Sequence, residues 1–164
     1  MREYGPIEEV IKVIASTEEQ ENLLLCVGNP IREDDGVGVY IGKTLSKIGY
    51  NVINAEQNPE NYIDEIISKR PKNLIIVDAA QFNGKPGDVM FVDAKNIPET
   101  SISTHTIPLS VISAIIHNET GSNIFFIGIQ IKSMEYKEKL NKEVKETADF
   151  ILKKLTSRRQ QCTN

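Results

Sequence analysis

The sequence predicts a three-layer α/β/α domain, a mostly parallel twisted sheet of about five strands flanked by helices, with an extra helix at the N-terminus. Two observations carry this. Short runs at 23–27, 73–77 and 124–129 are apolar at all positions but Asn73 and Gly128, the pattern of strands covered on both faces. Segments with helical spacing alternate with them, as in β-α-β units. A length of 164 residues suits one core and leaves no room for two domains of ordinary size. The chain is therefore read as one domain, residues 1–164, with a helical extension at 1–21, a body at 22–155 and a polar tail at 156–164.

The elements follow in order. Residues 7–20 place Ile7, Val10, Ile11 and Ile14 on one helical face with charge opposite. The run 23–27 ends in Gly28-Asn29-Pro30 and opens a loop carrying Arg32, Glu33, Asp34 and Asp35, of which Asp34 or Asp35 suits a helix cap. A helix is expected from Gly36 to a stop at Gly49, then a short strand at 51–54 and a helical stretch at 61–69. The second apolar strand, 73–77, ends at Asp78. Gly84-Lys85-Pro86-Gly87 is turn chemistry leading into an alternating strand at 88–92. A Ser/Thr loop at 102–106 contains His105, and Pro108 opens a helix through Ile116. The strand at 124–129 and a closing amphipathic helix at 137–155 complete the chain.

Composition excludes several functions. The hydrophobic fraction is 40% and the charged fraction 26%, an ordinary globular balance. A net charge of -4 provides no basic field for phosphate backbones, so nucleic acid is not an expected partner. The basic cluster Lys153-Lys154 and Arg158-Arg159 falls at the end of the last helix, where cations suit the dipole. Cys26 lies in a buried strand and Cys162 in the polar tail, so no disulfide is expected between them. The first residues lack the basic and apolar regions of a signal peptide and no apolar run spans a membrane, which points to the cytoplasm.

In parallel α/β sheets, sites form beyond the carboxyl ends of the strands. Asp35 and Asp78 should meet there, and the loop holding His105 can join them. Two carboxylates and an imidazole suit nickel, zinc or iron with positions left open for outside ligands. The same three groups also form a workable acid/base set. His117, at the end of a helical stretch, reads as a capping or surface residue. A dinucleotide site is disfavoured. Gly28 and Gly36 stand too far apart for the fingerprint, and the intervening acids would repel a pyrophosphate.

The blocks Leu24-Leu25-Cys26-Val27-Gly28-Asn29 and Asp34-Asp35-Gly36-Val37-Gly38 resemble the opening signature of the hydrogenase maturation endopeptidases. Leu74-Ile75-Ile76-Val77-Asp78-Ala79, Pro86-Gly87-Asp88, Thr104-His105-Thr106-Ile107-Pro108-Leu109 and Phe126-Ile127-Gly128-Ile129-Gln130 are similar to the later blocks of the branch acting on hydrogenase 3, the formate hydrogenlyase enzyme. The resemblance spans about residues 22–155. It implies a peptidase, often labelled aspartic-type, that removes the C-terminal extension of a nickel-iron hydrogenase large-subunit precursor after nickel insertion. Asp35, Asp78 and His105 are then the nickel-recognising and catalytic residues. The resemblance implies nickel carried by the precursor, not a resident cofactor. Water attack could use a carboxylate base or a carbonyl polarised by the metal. The Asp-Thr-Gly signature of pepsin-like enzymes is absent. A nickel-recognising assembly chaperone without proteolysis would use the same three residues. The extension at 1–21 has no counterpart in the family's usual start, and either packs on the sheet or helps to dock a substrate.

Overall fold

A computed structural model describes residues 5–97 and 107–162, with the side chains of residue 5 and residues 160–162 left out. Its five strands are β1 (Asn22–Val27), β2 (Val52–Glu56), β3 (Asn73–Ala80), β4 (Val89–Asp93) and β5 (Asn123–Gln130). They form one sheet in the order β2-β1-β3-β5-β4. All pairs are parallel except β4 with β5, which is antiparallel. The α-helices are α1 (Gly5–Ala15), α2 (Val37–Lys47), α3 (Ile63–Lys69), α4 (Leu109–Thr120) and α5 (Lys142–Cys162).

The apolar strands divide their side chains between two cores, as strand alternation requires. Leu24, Cys26, Ile75, Val77, Ile127 and Ile129 face a core completed by α1, α2 and α5. Leu23, Leu25, Val27, Leu74, Ile76 and Phe126 face a second core closed by α3 and α4. Helix α2 lies close against the sheet because Gly38 has no side chain. A Cβ there would stand 2.4 Å from the Val27 carbonyl oxygen and 2.6 Å from that of Val77.

The N-terminal extension belongs to the core. Ile7, Val10 and Ile14 are buried, and α1 lies over β4 and meets α5. Burying each of these side chains contributes about 1.5–3 kcal/mol. Of the two expectations for this segment, packing on the sheet is the one observed. The helix ends at Ala15, earlier than its charge pattern suggests, and Glu19–Glu21 form a separate 3-10 turn.

The amino ends of the three central strands share a feature that sequence reading missed. Each begins with asparagine, and the three are in register. Asn123 Nδ2 donates to Asn73 Oδ1 at 3.3 Å, and Asn73 Nδ2 to Asn22 Oδ1 at 2.9 Å. Asn22 Nδ2 then donates to the Ile14 carbonyl at 3.2 Å, which ties the end of α1 to the sheet.

Two boundaries at the C-terminal end differ from expectation. Helix α5 starts at Lys142, and residues 131–141 form an irregular strap. The helix also runs on to Cys162, so 156–162 is helical and not a tail. The basic cluster explains the extension: Arg158 donates to the Thr17 carbonyl, and Arg159 pairs with Glu19 at 2.9 Å and sits 4.6 Å from the Tyr50 ring centroid. These cations fasten the end of α5 to the rest of the molecule, a more specific role than balancing a dipole.

Candidate active site

The loop leaving β1 carries most of the chemistry. Gly28 has φ +145°, a conformation that disfavours any side chain, and its amide continues the pairing with β2 by donating to the Glu56 carbonyl at 2.8 Å. A Cβ on Gly28 would lie 2.1 Å from the Asp35 carbonyl oxygen and 3.8 Å from Asp78 Oδ1. Glycine at this position therefore lets the Asp35 turn and the Asp78 carboxylate close on the same point at the carboxyl edge. Asn29 seals the loop by donating its amide to the Asp35 carbonyl at 3.0 Å.

The turn Glu33–Gly36 is a 3-10 helix and sends its neighbouring acids in different directions. Asp34 is fully buried. Its Oδ2 accepts from the amides of Lys132 and Ser133 at 2.8 and 3.1 Å and from Asn141 Nδ2 at 2.9 Å. Its Oδ1 accepts from the Asn141 amide at 2.8 Å. Asp34 thus binds both ends of the strap, which is why no helix forms at 137. Asp35 is half-buried beside it.

Glu33 adds to the same fastening. It holds φ +46°, donates its amide to the Lys137 carbonyl, and accepts from the Glu135 amide at 3.2 Å. A hydrogen bond from the Ser133 hydroxyl, aided by the Glu135 amide and Lys137, draws its carboxyl below the usual value of 4.5 despite partial desolvation.

Asp78 is 3% exposed and lies inside β3, which continues to Ala80 and does not stop at Val77. Strand alternation puts it on the face of Leu74, Ile76 and Ala80, and its Oδ1 accepts from the Ala79 amide at 2.8 Å. Burial, with the Asp78 charge nearby, raises the Cys26 thiol to about 12, so this cysteine is not a nucleophile at neutral pH. Buried Gln130, at the end of β5, accepts from the Phe82 and Gly84 amides at 2.9 and 3.1 Å and shapes the loop beyond Asp78.

Of the three residues selected from sequence, Asp35 and Asp78 occupy the carboxyl edge together, and His105 lies outside the described residues. Among the described residues no three His, Cys, Asp or Glu side chains gather closely enough to hold a metal ion. Two carboxylates supply hard oxygen donors for part of a coordination shell. His117 is exposed, with Nδ1 2.8 Å from the Ser122 carbonyl, at the opposite edge. A cleft of about 330 Å³ there, bounded by Asp93, Ser113 and His117, is remote from both acids.

The fold and this edge define a class: a three-layer α/β/α protein whose carboxyl edge carries one acid in a central strand, Asp78, and another in the turn that follows its neighbour β1, Asp35. Comparison with known proteins narrows it. The family model described as HycI, hydrogenase maturation protease, matches residues 39–158, and the chain belongs to that family. The match includes Asp78 and the position of His105, and begins four residues after Asp35.

The hydrogenase 3 maturation protease of Escherichia coli K12 is 30% identical over 138 residues, covering 82% of this chain and 88% of its own. A putative hydrogenase maturation protease of Methanocaldococcus jannaschii is 28% identical over 144 residues, covering 81% and 85%. The crystal structure of a nickel-iron hydrogenase maturation protease from Thermococcus kodakarensis superposes with a TM-score of 0.75 at 28% identity, covering 88% of this chain and 99% of that one. The chain is accordingly an enzyme, a peptidase of hydrogenase maturation. No helix among the described residues is long and apolar enough to cross a membrane.

Proposed function

We propose that this peptidase removes the C-terminal extension of a nickel-iron hydrogenase large-subunit precursor after nickel insertion, and that it recognises the nickel the precursor carries. The supporting observation is that the Asp35 backbone carbonyl and the Asp78 carboxylate both border Gly28 at the carboxyl edge, where parallel sheets place their sites.

In this reading nickel is part of the substrate, held by precursor thiolates. Asp35 and Asp78 offer carboxylate oxygens to its remaining positions, and His105 adds an imidazole. The half-buried Asp35 is reachable from solvent, whereas Asp78 is fixed by the strand. Binding at this edge holds the scissile peptide beside a carboxylate able to accept a proton from the attacking water. The enzyme works in the cytoplasm and keeps no nickel between turnovers.

The test is intact mass of nickel-loaded and nickel-free precursor after incubation with the purified protein. Shortening of the loaded form alone is the expected result. Equal shortening of both forms would remove the nickel requirement, and binding without shortening would favour an assembly chaperone.

A further inference from the structure

The turn that carries Asp35 does not hold its shape unaided. It is a 3-10 turn of four residues, Glu33–Gly36, a kind of helix that is marginal by itself. Its first residue, Glu33, sits at φ +46°, a left-handed conformation that persists in a side-chain-bearing residue only where the surroundings impose it. The imposing contacts come from the strap. The Glu33 amide donates to the Lys137 carbonyl at 2.8 Å, and the Glu33 carboxylate accepts from the Glu135 amide at 3.2 Å. The buried Asp34 carboxylate accepts from the amides of Lys132 and Ser133 and twice from Asn141.

Asn141 is the least expected of these partners. It directly precedes α5, where an asparagine commonly accepts from the first amides of the helix. Its Nδ2 is directed to Asp34, donating to Oδ2 at 2.9 Å, and its own amide donates to Oδ1 at 2.8 Å. Two bonds that reach both oxygens of one carboxylate fix its plane as well as its position. Asp35 follows with little freedom of its own. Its amide donates to the Arg32 carbonyl at 3.1 Å, and its carbonyl accepts from the Asn29 amide at 3.0 Å.

We infer that Asn141 is a positioning residue for the processing reaction: through the Asp34 carboxylate it fixes the turn on which Asp35 stands. The inference rests on the proposed processing reaction and adds a residue, distant in sequence, that keeps one of its acids in place. A catalytic group displaced by about 1 Å can lose about 100-fold in rate, so loosening the turn has a measurable cost.

The experiment measures kcat/KM on nickel-loaded precursor for wild type, Asn141→Ala, Asp35→Asn and the double variant, at a temperature where melting curves show all four folded. Asn141→Ala removes one of the four bonds to Asp34 and keeps the main-chain one. The inference expects this variant to lose about ten-fold in kcat/KM. It expects the double variant to match Asp35→Asn within about two-fold, because a residue that acts through Asp35 has nothing left to position once that carboxylate is gone. Asn73→Ala, which breaks a polar network at the amino edge, should stay within about two-fold of wild type, so that lost stability alone does not produce the effect. An unchanged kcat/KM in Asn141→Ala overturns the inference. Losses that multiply in the double variant also overturn it, since a purely structural role does not depend on Asp35. Both results leave the processing reaction standing, whereas failure of the wild type to shorten any precursor overturns the reaction and the inference together.

Discussion

The two edges of the sheet use polar residues for opposite ends. At the amino edge Asn22, Asn73 and Asn123 bond to one another and to the end of α1, and two of the three are buried. At the carboxyl edge two adjacent acids divide the work: Asp34 is committed to the strap, while Asp35 stays half-buried at the rim. A closed polar network adds stability and register. Residue type alone does not tell which of two adjacent acids holds the strap; the four bonds to the Asp34 carboxylate do.

The comparison can be broken first at Asp34. Asp34→Ala leaves three amides and the Asn141 side chain without their acceptor, and should lower stability by about 2–4 kcal/mol. Denaturant unfolding would show this, and hydrogen exchange should accelerate at 131–141 more than elsewhere. A smaller effect is expected at the opposite edge. Asn73→Ala interrupts the asparagine ladder and should cost about 1–2 kcal/mol in the same assay, with precursor cleavage at its normal rate.

The smallest effect concerns pH. The Glu33 carboxyl titrates below its usual value of 4.5 in the folded protein, so its stabilising contribution is present above that value and is lost as pH falls through the lower, folded one. Melting temperature should fall on acidification less steeply for Glu33→Gln than for wild type. Identical acid limbs would show that the Ser133 bond does not favour the ionised form.

Much of this arrangement was legible in the sequence. Apolar runs located β1, β3 and β5, and the rule for strand ends brought Asp35 and Asp78 to one edge. What escaped depends on contacts distant in sequence. Nothing local separates Asp34 from Asp35, because they are adjacent acids just before Gly36 and only the 3-10 turn and the strap decide which faces inward. The closing helix was expected at 137, but the bonds of Glu33 and Asp34 hold residues 131–141 out of it. Asparagine at a strand start reads as turn chemistry, and the ladder emerges only once the strands are in register. The Arg158-Arg159 pair looked like a simple helix end because its partners, Thr17 and Glu19, lie near the other end of the chain.

The central claim is that the carboxyl edge processes the precursor while the rest of the molecule supports it. Its most direct test is the rate at which Asp35→Asn shortens nickel-loaded precursor, measured with its melting temperature. The account predicts a rate reduced at least about 100-fold with melting lowered far less than by Asp34→Ala, since the strap is held by Asp34. Shortening at the wild-type rate would contradict it and place the chemistry elsewhere on the molecule.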